Sequence, residues 1–190
     1  MLNTQFDPFP TLSTERLDLR KLSLDDAAAM FSMRSDEKMM AYIPRPRAKT
    51  VNDATALIQS MLDGFEKRES LIWAIAFKND PKLIGSIGFW RMKKEDFRAE
   101  VGYLIHSDFW QKGITYEALQ AVLKYGFDVM NCHSIEAIID PENVASERLL
   151  QKSGFVKEAH FRENFFWDGR FLDSVVYSKL IKNVSFQHKK

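Results

Sequence analysis

Residues 100–117, EVGYLIHSDFWQKGITYE, constrain the fold of this chain more than any other stretch. An alternating segment over 99–106 reads as a strand, and Gly113 marks the break before an amphipathic run starts at Ile114. A strand that feeds a helix through a glycine turn leaves the first-turn N–H groups without intrahelical partners. The helix dipole favours negative charge at that end. Such a corner has two uses. Gly113 either relieves the backbone at the turn, or the amides at Gly113 and Thr115 receive a phosphate while Lys112 adds charge. The spacing matches neither GxxxxGK[ST] nor GxGxxG, so neither a Walker-type loop nor a dinucleotide fingerprint is present.

On the N-terminal side, residues 14–22 alternate as a half-buried strand, and Ser23 is an N-cap ahead of Asp25 and Asp26, opening a helix that carries residues 27–33. Residues 34–49 read as a loop or broken helix because Pro44 and Pro46 interrupt them. A helix over 50–68 follows, with Ala54, Leu57, Ile58, Met61, Leu62 and Phe65 at helical spacing. The near-continuous apolar run 71–77 reads as a central strand. Strands over 83–91 and 98–106, joined by short turns, make an antiparallel meander with it.

The helix over 114–130 has an apolar stripe of Ile114, Ala118, Val122, Tyr125 and Val129, with Glu117, Gln120, Lys124 and Asp128 on the solvated side. A strand at 134–139, a helix at 143–152 stopped by Gly154, and a hairpin of 155–167 and 171–180 around Asp168-Gly169 complete the pattern. The tail from Asn183 is polar and basic. The order predicts one α/β domain over 1–190, with a core at about 14–180 and a mixed sheet antiparallel in its first half. It is not the alternation of a doubly wound fold.

Charge and cysteine content exclude several functions. With 27 basic against 26 acidic residues, and no basic face interleaved with aromatics, nothing points to nucleic acid. The single Cys132 rules out an intrachain disulfide framework, and the four histidines lack metal-ligand spacing. No apolar run approaches a membrane span and the N-terminus has no signal-peptide pattern, so the cytoplasm is the expected compartment.

Three positions carry candidate chemistry. Glu100 interrupts an apolar strand with Gly102 two residues on, which leaves open space for a base facing a substrate; equally it is a surface carboxylate paired to Arg98 or Lys94. Asn143 and Ser146 share a helix face, but Asn143 is also a preferred N-cap and Ser146 an ordinary surface serine. Cys132 reads as packing, and Phe89, Trp90, Phe161, Phe165, Phe166 and Trp167 read mostly as core, with one or two left to line a pocket. Arg45, Arg47 and Lys49 form a solvated basic loop that an acidic ligand could meet.

Together TERLDLR, AEVGYLI, FWQKGITYEAL, DPENVASERLLQKSGF and the closing hairpin resemble, in the same order, the GNAT superfamily of acyl-CoA-dependent N-acetyltransferases, and within it the RimJ/RimL-type branch. The resemblance covers about residues 14–180. It implies a sheet that splays between the Glu100 strand and the Ser134 strand, with acetyl-CoA as cosubstrate and no metal. It also implies that Leu104, Ile105 and His106 pair with pantetheine, and that Gln111, Lys112, Gly113, Ile114 and Thr115 cradle the pyrophosphate. Asn143 then binds the pantetheine arm, Ser146 lies near the thiol, and Glu100 is the general base. Trp110 and Thr115 stand where the family often has Gln or Arg and Gly or Ala, a departure that backbone binding tolerates.

The implied reaction is direct attack of an amine on the thioester. An α-amine near pKa 7.7–8.0 is roughly a fifth to a third neutral at pH 7.4, whereas a lysine amine near 10.4 is about 0.1% neutral. One placed acid therefore favours an α-amine, as on a ribosomal-type protein N-terminus. A small-molecule amine and a non-catalytic CoA-binding module are the alternatives. The loop 34–49 and the Asp168 hairpin are expected to shape the acceptor pocket, with Tyr103 a further candidate acid and the aromatic hairpin a candidate dimer surface.

Overall fold

The strands β1 (Leu12–Ser13), β2 (Leu17–Lys21), β3 (Leu71–Phe77), β4 (Asp80–Lys93), β5 (Arg98–Ile105), β6 (Ser134–Ile139), β7 (Val156–Trp167) and β8 (Arg170–Leu180) form one sheet. Its order is β1-β2-β3-β4-β5-β6-β8-β7. Every neighbouring pair is antiparallel except β5 and β6, which run parallel. The computed structural model describes residues 1–181, and the polar tail from Asn183 lies outside them. No helix among the described residues is long and apolar enough to cross a membrane.

The continuous apolar run of β3 has a simple cause. Leu71, Trp73 and Ile75 join a core that includes Ala118, Leu119 and Val122 of α4 (Ile114–Asp128). Ile72 and Ala74 face the opposite core, built on α1 (Ala27–Ser35) and α3 (Val51–Glu66). A strand covered on both faces has no polar face to alternate with. Helices α2 (Glu37–Met40) and α5 (Val144–Lys152) are short.

The helix starts follow from caps. Ser23 and Thr50 each form a capping box, with Asp26 and Asp53 returning the bond. The Ser23 box begins a short 3-10 turn that continues into α1. Asp26 does more than cap. Arg20 of β2 grips it in a bidentate pair at 2.7 and 2.8 Å and also donates to the Pro81 carbonyl at 2.6 Å. One buried carboxylate thus locks the entry of α1 onto the sheet.

Three expectations are corrected. Val129 is exposed, because α4 ends at Asp128 before the stripe reaches it. Glu117 is not on a solvated face: its side chain bonds Thr14 and Arg16, at the start of β2. Phe161, Phe165 and Phe166 are exposed rather than core, and Trp90 is 38% exposed. Only residues 175–180 of β8 pair with β6, so the tip of the β7–β8 hairpin projects beyond the sheet, and Phe161, Phe165 and Phe166 stay exposed among the described residues. The turn itself is as expected, with Asp168 and Gly169 both at positive φ.

Asp26→Asn is expected to lower stability by about 2 kcal/mol, since it leaves the half-buried Arg20 guanidinium without its counter-charge. Urea unfolding with an unchanged slope would report it; a midpoint equal to wild type would show that the pair does not hold α1.

Candidate active site

The site begins where a strand pair stops. β5 and β6 are paired at Arg98↔Ser134, Ala99↔Ile135 and Glu100↔Glu136, and then part, although β5 continues to Ile105 and β6 to Ile139. β4 stays paired along the other side of β5 as far as Gly85↔Ile105. The His106 N–H donates to the Ile84 carbonyl at 2.9 Å. Backbone groups alternate in direction along a strand, so those of Tyr103 and Ile105 turn to the gap. The Ile105 carbonyl is already taken by the Trp110 indole N–H at 3.0 Å.

A cavity of about 510 Å³ opens into this gap. Glu100, Tyr103, Leu104, Asn143 and Ser146 line it, together with Met30 and Arg34 of α1 and the loop from Tyr42 to Arg45. The loop and the Asp168 hairpin tip also share a neighbouring depression of about 720 Å³. The two segments expected to shape an acceptor pocket do come together.

A bulge sets the position of Glu100. The register of β4 against β5 slips between Phe89 and Arg91, which brings Arg91 opposite Glu100. Arg91 Nη1 donates to Glu100 Oε2 at 3.2 Å, while Arg98 bonds Glu136 instead, at 2.7 and 2.9 Å. Glu100 is half-buried, and burial pushes its carboxyl above the ordinary glutamate range. Arg91 opposes that shift and the Glu136 carboxylate adds to it. The open space expected beside Glu100 is occupied: a Cβ on Gly102 would lie 2.6 Å from the Trp90 indole nitrogen, so the glycine admits the ring across β5.

Two hydroxyls meet farther along. Tyr103 Oη and Ser146 Oγ are 2.8 Å apart, and burial pushes the phenol up to about 12. Two O–H groups sharing one hydrogen bond keep one proton to donate elsewhere. Asn143 caps α5, its Oδ1 accepting from the Ser146 N–H at 3.0 Å. Its Nδ2 has no partner among the described residues and sits at the cavity wall. The cap and the ligand-facing donor are therefore different atoms of one side chain.

Beyond the far end of β5, a 3-10 turn (Ser107–Phe109) leads to Gln111 and Gly113, at φ +59° and +74°. Gly113 is the N-cap residue of α4 and has no side chain to cap it, so the first-turn amides are left open. Arg16 braces this turn. Its Nη1 donates to the Lys112 carbonyl at 3.1 Å and its Nε to Glu117 Oε2 at 2.7 Å. Sequence reasoning missed Arg16 and Arg91, because their partners lie 101 and 9 residues away and no local spacing marks either. Cys132 is buried and its thiol is pushed up to about 12, which suits packing and not nucleophilic attack.

These features have relatives. A family model described as "Acetyltransferase (GNAT) domain" matches residues 16–156. The uncharacterized N-acetyltransferase YoaA of Bacillus subtilis is 34% identical over 170 residues, covering 90% of this chain and 96% of that protein. The [ribosomal protein uS5]-alanine N-acetyltransferase of Escherichia coli is 32% identical over 118 residues, 61% of each chain. A GNAT-family acetyltransferase structure from Bacillus anthracis superposes with a TM-score of 0.81 at 29% identity, covering 90% of this chain and 98% of the other. With the splayed pair and the open helix start described above, this chain belongs to the GNAT family of N-acetyltransferases.

Proposed function

We propose that this N-acetyltransferase carries the acetyl group of acetyl-CoA directly to an α-amine, that of a protein N-terminus. The observation that carries the reading is the half-open strand β5, with a raised carboxylate at one end and an unfilled helix N-terminus at the other. Acetyl-CoA, when bound, supplies an activated acetyl thioester.

The chain's own groups fit that molecule. The amides from Gln111 to Thr115 form a concave donor set for a pyrophosphate, with Lys112 beside it. The open backbone of β5 near Leu104, Ile105 and His106 accepts a strand-like amide arm through the Tyr103 N–H and C=O and the Ile105 N–H, and Asn143 Nδ2 donates to it from α5. Glu100 takes the proton of the incoming amine, and its raised affinity for protons makes it a better base than an exposed glutamate. Tyr103 and Ser146 keep one O–H to donate to the departing sulfur. The phenol, at about 12, stays protonated at neutral pH and so keeps its proton ready.

An α-amine suits this machinery because it needs only one modest base. A second reading, a small-molecule amine, is favoured by the size of the cavity, since about 510 Å³ is within the range of small-ligand sites.

Three outcomes test the reading. Glu100→Gln should lower kcat/KM by about 100-fold at pH 7, and move the acidic limb from the Glu100 titration up to the amine's own, near 7.7–8.0; superimposable profiles from pH 5.5 to 9 would remove Glu100 from the reaction. Tyr103→Phe should depress kcat by about tenfold or more, and further than Ser146→Ala does, with the reverse order transferring the proton-donor role to the serine. Gly113→Glu should weaken acetyl-CoA binding by at least about tenfold in calorimetry, through a strained φ and phosphate repulsion. Wild-type affinity in that variant would place the pyrophosphate elsewhere.

A further inference from the structure

Among the described residues three arginines are half-buried: Arg20, Arg34 and Arg98. Arg20 is paired with Asp26 and Arg98 with Glu136. Among the described residues Arg34 has no carboxylate within 4 Å, and none accepts a hydrogen bond from its guanidinium. Burial lowers its pKa, and the nearest charge that acts on it, Arg45, lowers it further. A guanidinium taken partly out of water beside a like charge is an unfavourable arrangement in the free protein. No fully buried side-chain nitrogen or oxygen among the described residues lacks a partner, so the Arg34 donors open on space, and that space is the 510 Å³ cavity.

Arg45 lines the same cavity from the loop opposite α1, and it too lacks a carboxylate partner among the described residues. Its charge reaches Glu100 and draws that carboxyl's pKa down slightly. The arginine pair therefore sits toward the Glu100 end of β5. The pyrophosphate turn lies beyond Ile105, five residues farther along, or about 17 Å at strand spacing. A phosphate held at Gly113 cannot be what neutralises them.

We propose that Arg34 and Arg45 form an anion subsite for the acceptor: the amine that reaches Glu100 belongs to a molecule that also bears a carboxylate or phosphate, gripped between α1 and the 42–45 loop. Guanidinium groups match both anions through paired N–H donors. This rests on the N-acetyltransferase reading for the position of the amine. It also adds selectivity, because a polyamine brings only positive charge to a wall that already carries two unpaired cations. An acidic residue close behind a protein N-terminus satisfies the pair.

The test is calorimetric binding of matched acceptors to the CoA-loaded full chain, with acetyl transfer followed in parallel from acetyl-CoA. The acceptors are the tripeptide amides Ala-Glu-Gly and Ala-Gln-Gly, and Ala-phosphoserine-Gly with Ala-Ser-Gly. The acidic member of at least one pair is expected to bind about tenfold or more tightly. The glutamate and phosphoserine arms tell which anion is preferred. Arg34→Gln and Arg45→Gln should each erode that advantage and the double variant abolish it, while Arg34→Lys retains part; thermal midpoints confirm that the variants are folded. Equal affinity within both pairs, no binding of any peptide, or an advantage that survives the double variant overturns the subsite. Equal turnover of acidic and neutral acceptors overturns the subsite while the N-acetyltransferase reading stands. Tight, arginine-dependent binding of the acidic peptide without acetyl transfer supports the subsite and overturns the α-amine reading.

Discussion

A strand in the middle of a sheet normally has both edges satisfied, and β5 has one of them satisfied for only three residues. Backbone N–H and C=O groups left without partners are costly to bury, so the chain must leave them wet or offer them to a ligand. The parting of β5 from β6 creates the cavity, brings α5 and its Asn143 cap across from Tyr103, and leads the strand straight into the open start of α4. The parallel pairing is what makes this possible. β5 and β6 are linked through a helical crossover, not a hairpin, and a crossover does not hold the strand ends together as a tight turn would.

The electrostatics of the site follow from that geometry. At the last paired position two glutamates, Glu100 and Glu136, stand side by side. Arg98 grips Glu136 from two nitrogens and Lys93 lies 3.6 Å from its other oxygen, so that carboxylate is neutralised. Glu100 receives only a single longer contact from Arg91, whose side chain is 66% exposed and therefore screened by water. The two acids occupy equivalent places in the ladder and differ in their partners. That difference leaves Glu136 fully paired and Glu100 with room for a further partner.

Much of this was legible in the sequence where the cause is local. The apolar run of β3, the Ser23 cap, the Asp168-Gly169 turn and the strand-glycine-helix corner are all decided by residues within a few positions of one another. What escaped depends on contacts far apart in sequence. Glu117 looks solvated on a helical projection because Arg16, its partner, precedes it by 101 residues. Phe165 and Phe166 look like core because aromatics favour strands, and strand preference does not say whether anything lies against them. Trp90 and Gly102 were each visible, but only the bulge in β4 reveals that the indole covers the glycine. In the sequence Asn143 fits either a cap or a ligand donor, and the structure gives its two polar atoms different surroundings.

The Trp110 indole adds a consequence of another kind. By holding the Ile105 carbonyl it closes the last rung on the open edge of β5, so a chain that adds there cannot slide past it toward α4. Sheet edges are prone to register slippage, because each backbone rung resembles the next. With one end blocked by the indole and the other by the last β5–β6 pair at Glu100, the edge becomes a berth of fixed length. A strand-like guest on this edge would be indexed, because the rungs between the two stops fix how far it could lie along β5.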